Sequence, residues 1–99
     1  MHTMLAAVDS DLPGADLVAK GLEDLTSGRT TEEALLVSAA APRLRAVGIA
    51  VPPNTPEAPL HRLYELLAST DSVDPHSRYN ALVARVVRFA RAAERAAAR

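Results

Sequence analysis

With 99 residues, 48% of them hydrophobic and 23% charged, the chain has the composition of one small helical domain spanning 1–99, with no room for a second. It holds no cysteine, which excludes a disulfide scaffold, a thiolate zinc site and a cysteine nucleophile. Net charge is only −1, yet Met1 to Ala41 carries seven acids against two bases and Pro42 to Arg99 five against nine, so the two parts attract each other within one fold or between subunits.

Residues 1–10 form an N-terminal segment without the basic stretch and long apolar run of a secretory signal, and the cytoplasm is the expected compartment. Ser10-Asp11-Leu12-Pro13 offers an N-cap side chain and a first-turn proline. Leu12, Ala15, Val18, Ala19, Leu22 and Leu25 then recur at helical spacing, and Gly28 is placed to end the helix. Thr30 and Glu33 have the spacing of a capping box, so a second helix is predicted from about Thr31 to Ala41. Its run Ala34-Leu35-Leu36-Val37 and the alanines 39–41 make it apolar almost all round, and such a helix must be covered on most sides.

The stretch Ala34 to Val51 is the most apolar in the chain, but Pro42, Arg43, Arg45 and Gly48 break it short of a membrane span, and no membrane partner is expected. Pro42 suits the first turn of a short third helix, Arg43 to Val47, closed by Gly48. A competing reading makes Leu35 to Ser38 and Gly48 to Val51 strands of a small α/β unit, although two short strands form no stable sheet alone. Residues 50–59 carry Pro52, Pro53, Pro56 and Pro59, a semi-rigid connection between two helical halves. Asn54 or Thr55 is placed to cap the next helix, with Leu60, Leu63, Tyr64 and Leu67 on one side and an end near Ser69. Asp71 to Asp74 reads as a polar turn, and Asp74-Pro75 as N-cap and first position of the longest helix, reaching almost to Arg99. The fold class is all-α, an orthogonal or bundle-like array of four main helices plus one short helix, with the second helix at its centre.

On the last helix Tyr79, Leu82, Val83, Val86, Phe89, Ala90, Ala93 and Ala97 share an arc of roughly 120°, the expected buried face. Opposite them Arg78, Arg85, Arg88, Arg91, Arg95 and Arg99 fall within about 140°. Such a row can pair with successive phosphates, but an exposed helix face has to be charged in any case, and acids such as Asp16, Glu23, Asp24, Glu32 and Glu33 can neutralise it. One lysine against ten arginines and twenty alanines fits the codon usage of a GC-rich, bacterial-type genome, which weakens the arginine count as a sign of nucleic-acid binding. Tyr64, Tyr79 and Phe89 all fall on apolar arcs, so no stacking platform for single strands is expected.

Thr31 to Ile49 resembles a helix-turn-helix poorly, since Pro42 disfavours helical geometry before it and no glycine sits in the turn; Arg43 and Arg45 read as solvated flanks of a buried Leu44. His61 and Glu65 are four apart, near enough for a hydrogen bond or two metal ligands, but a metal site needs His76 and His2 to converge on them. His76, Ser77, Arg78 and Asn80 form a polar cluster at a helix start, where Asp74 competes with any bound anion for the free backbone N–H groups. No catalytic set, cofactor site or metal site is expected. The leading expectation is a non-catalytic interaction module that self-associates or serves as an accessory subunit. Nucleic-acid or polyanion binding through Arg85, Arg88, Arg91, Arg95 and Arg99 ranks second, and a small enzyme built on His61, Glu65 and His76 third.

Overall fold

The computed structural model describes residues 9–70 and 73–98, and among these all regular structure is helical. The elements are α1 (Ala15–Thr26), α2 (Glu32–Ala46), α3 (Pro59–Thr70) and α4 (Pro75–Ala97). Leu35 to Ser38 lies inside α2 and Gly48 to Val51 is a loop, so the α/β reading falls. The expected segments at residues 1–8 and 71–72 lie outside the described residues.

α2 sits at the centre: it packs against α1, α3 and α4, whereas α1 and α3 do not meet. Ala34 to Ser38, Ala41 and Leu44 are all buried, which answers the nearly all-apolar character of its sequence. Around it Val18, Leu63, Leu67 and Phe89 are fully enclosed, and each such side chain contributes about 1.5–3 kcal/mol through burial. α1 crosses α2 at Gly21, where a Cβ would run into the Val37 side chain and the Glu33 carbonyl oxygen. This crossing rotates α1 from the expected stripe: Leu17, Gly21 and Asp24 face inward and Ala19 is exposed.

One expected boundary disappears. α2 continues through Pro42 to Ala46, with Ala41 helical and buried, so the separate short helix at Arg43 to Val47 does not exist and the array has four helices. Pro42 is exposed, and the burial of Ala41 and Leu44 on either side of it outweighs the lost N–H and the ring clash, about 3 kcal/mol in a helix interior. Continuity of α2 also removes the turn that a helix-turn-helix requires.

The helix ends are set by local chemistry. α1 and α2 both close in Schellman motifs on glycines at positive φ. Gly28 N–H bonds to Leu25 O and Arg29 N–H to Asp24 O; Gly48 N–H bonds to Arg45 O and Ile49 N–H to Leu44 O. Thr31 rather than Thr30 caps α2, accepting from Ala34 N–H at 3.1 Å, so no glutamate stands at the reciprocal position and the capping box is incomplete. α1 opens at Ala15 behind Gly14, with no side-chain cap, leaving Ser10 and Pro13 outside. α3 opens at Pro59, a first-position proline, rather than at Asn54 or Thr55. Asp74 caps α4 through Ser77 N–H at 3.1 Å with Pro75 in the first turn, as its sequence predicts.

Candidate functional site

The arginine face of α4 divides in two. Arg78 donates to Glu32 of α2 at 2.9 Å, and Arg85 lies 3.2 Å from Asp16 of α1, so these two cations tie helices together. Arg88, Arg91 and Arg95 are exposed and make no ion pair among the described residues. Arg99, expected on the same face, lies outside the described residues. Glu94, the acid beside the stripe, is taken by Arg43 through two hydrogen bonds of 2.8 and 2.9 Å, which hold its carboxyl below the ordinary carboxylate range. Arg45 caps the Val51 and Pro52 carbonyl oxygens, and Leu44 between the two arginines is fully buried.

Acids on the other side are only partly consumed. Asp16 and Glu32 are paired, while Asp9, Asp11 and Glu23 are exposed and make no ion pair among the described residues. Beside them an open groove of about 860 Å³ runs along the outer face of α1, lined by Ala15, Ala19 and Leu22 and by the charged Asp16, Lys20 and Glu23.

Sequence reasoning missed a buried carboxylate. The Asp24 side chain is 1% exposed and receives Lys20 Nζ at 2.8 Å, Arg29 Nη2 at 2.8 Å and Nε at 3.2 Å, and the Thr31 hydroxyl at 2.6 Å. These donors, Lys20 foremost and then Thr31 and Arg29, hold its carboxyl far below the ordinary range. Lys20 is raised in return by its bond to Asp24. The only visible signal was Lys20 and Asp24 four apart, which by itself reads as a surface pair. With no buried side-chain polar atom left unpaired among the described residues, the cluster is a staple between the end of α1 and the start of α2.

The small polar cluster is laid open. His76, Ser77, Arg78 and Asn80 are exposed; Asp74 occupies Ser77 N–H, and Arg78 is turned to Glu32. Of the tyrosines, Tyr79 packs against the core as its arc predicts, but Tyr64 departs from expectation: it is 37% exposed and meets Tyr79 and His76 edge to face, with ring centroids 5.5 and 6.2 Å apart. α3 buries Leu63 and Leu67 and leaves Tyr64 and Leu60 at its rim, so one exposed aromatic does stand on the surface.

His61 Nε2 lies 3.3 Å from Glu65 Oε2, both side chains well exposed at 73% and 66%. His76 meets the Tyr64 ring instead of joining them, and none of the three lines the α1 groove or the smaller cavities of about 390 and 240 Å³. No group of three or more metal-ligating side chains forms among the described residues, and His2 lies outside them. No helix among the described residues is long and apolar enough to cross a membrane. No protein-family model, curated protein or solved structure matches this chain.

Proposed function

We propose that the chain is a non-catalytic helical interaction module that self-associates, alone or as an accessory subunit of a larger complex. The observation that carries this reading is unspent charge of both signs: the acids Asp9, Asp11 and Glu23 and the bases Arg88, Arg91 and Arg95 are all exposed and outside any ion pair among the described residues. A second copy supplies these charges with opposite ones, and electrostatic complementarity sets the register and speeds association. Sedimentation velocity over a concentration series tests it. A species heavier than one 10.5 kDa chain, growing with concentration, is expected; a single-chain species at every concentration overturns self-association.

A second reading rests on the same three arginines, as a ridge that binds a polyanion such as duplex nucleic acid. Binding of a short duplex that falls steeply with salt supports it. Absent or salt-insensitive binding sinks it.

A further inference from the structure

α1 and α3 both pack on α2 without meeting each other. Where the turn after α1 faces the proline-rich connection into α3, a cavity of about 390 Å³ remains, a size that holds a small molecule. Arg29 and Thr30 of the turn line it together with Asn54 and Thr55 of the connection and Arg62 of α3. Its charge is one-sided: among the described residues two guanidinium groups line it and no carboxylate does. Glu65, three residues from Arg62, lies against His61 at 3.3 Å, and Glu57 is outside the lining. The side chains of Arg62, Thr30, Asn54 and Thr55 make no hydrogen bond or ion pair among the described residues. Arg29 is held in place without being used up. Asp24 takes its Nε at 3.2 Å and Nη2 at 2.8 Å, which fixes the guanidinium plane and leaves the Nη1 donors for another acceptor. The connection is stiff as well, with Pro53 and Pro56 in it and Arg45 tying the Val51 and Pro52 carbonyl oxygens to α2.

We infer that this cavity binds the phosphate group of a small molecule, with Arg29 and Arg62 as its cationic arms and the Thr30 and Thr55 hydroxyls and the Asn54 amide as further donors. Guanidinium forks match phosphate oxygens two at a time, and such charge-assisted bonds are the strong ones. A phosphate spreads three terminal oxygens tetrahedrally and can meet donors from both walls, whereas a carboxylate has two oxygens in one plane and matches one fork. Leu25, Pro53 and Pro56 add apolar lining for the organic body attached to the phosphate. The site shares no residue with the arginine ridge of α4 and does not depend on self-association.

Titration of the ¹⁵N-labelled chain with phenyl phosphate tests this, with benzoate as the matched carboxylate, all at a constant ionic strength of about 150 mM so that screening does not change. Amide shifts that centre on Gly28, Thr30, Asn54, Thr55 and Arg62 and saturate by about 10 mM phenyl phosphate are expected. Arg62→Gln is expected to weaken binding at least about tenfold, and Arg88→Gln/Arg91→Gln/Arg95→Gln to leave it unchanged. All four positions are exposed and outside any ion pair among the described residues, and cooperative melting by circular dichroism verifies that each variant folds. No saturable shift, or an affinity untouched by Arg62→Gln, overturns the site. Binding lost with the three ridge arginines places the anion on α4 and overturns it too. Benzoate bound as tightly as phenyl phosphate overturns the choice of phosphate. Should Arg62→Gln fail to melt cooperatively, the wild-type shifts decide: shifts around the cavity agree, and shifts confined to α4 overturn the inference.

Discussion

Asp24 is the residue on which the corner between α1 and α2 turns. In most Schellman motifs an apolar contact joins the residue after the glycine to the last full turn of the helix. Here Arg29 and Asp24 hold those positions and meet as an ion pair at 2.8 Å, and Thr31 spends its hydroxyl on both Asp24 and the Ala34 N–H. Because the folded carboxyl lies below its ordinary value of about 3.9, the stability it contributes is complete above that pH and is lost as pH falls toward the folded-state value. Asp24→Asn is therefore expected to lower the denaturation midpoint at neutral pH, with the gap to wild type closing progressively in acid. Urea titrations at several pH values measure it, and a gap independent of pH contradicts the assignment. Gly21 gives a second test at this scale. Alanine is better than glycine by about 1 kcal/mol in an isolated helix, yet at Gly21 a methyl group collides with α2, so Gly21→Ala is expected to destabilise by about 1–3 kcal/mol. A gain in thermal stability would remove the close crossing.

Among the elements, ends governed by short-range chemistry were legible and ends governed by packing were not. Gly28, Gly48 and the Asp74-Pro75 pair act within three or four residues of themselves, and each stands where the sequence places it. Pro42 was misleading because its local cost is real, while the compensating burial of Ala41 and Leu44 comes from helices distant in sequence. Replacing it restores an N–H to the Ser38 carbonyl and relieves the ring, so Pro42→Ala is expected to stabilise the fold by about 1–3 kcal/mol, read as a rise in melting temperature. A loss of stability would mean that the proline shapes α2 for its neighbours. The start of α3 was misplaced: Asn54 and Thr55 are good caps in isolation, but the helix opens only at Pro59, after Ala58 at φ 46°, and its first buried residue is Leu63. Tyr64 shares a helical arc with Leu63 and Leu67, yet periodicity does not say which edge of an arc the neighbouring helix covers.

At the scale of the molecule, the division of charge between the two parts of the sequence is the feature that survives folding. Asp16 and Glu32 find Arg85 and Arg78 across helix boundaries, as the opposite signs of the two parts predict, whereas the Arg43–Glu94 pair lies within the basic part. Which arginines would be used was not legible, because Arg78, Arg85, Arg88, Arg91 and Arg95 lie on one wheel and only the positions of α1 and α2 separate those that are met from those that are not. His61 pairs with Glu65 while His76 meets the Tyr64 ring, and no group of three or more metal-ligating side chains forms among the described residues. The measurement that tests the proposed self-association most directly is the light-scattering mass of the unmodified chain at about 50 mM and about 500 mM salt, where the Debye length falls from roughly 14 Å to roughly 4 Å. A dimer at low salt that reverts toward one 10.5 kDa chain at high salt is the predicted result; a single chain at both salts contradicts self-association, and a dimer unmoved by salt contradicts its resting on charge.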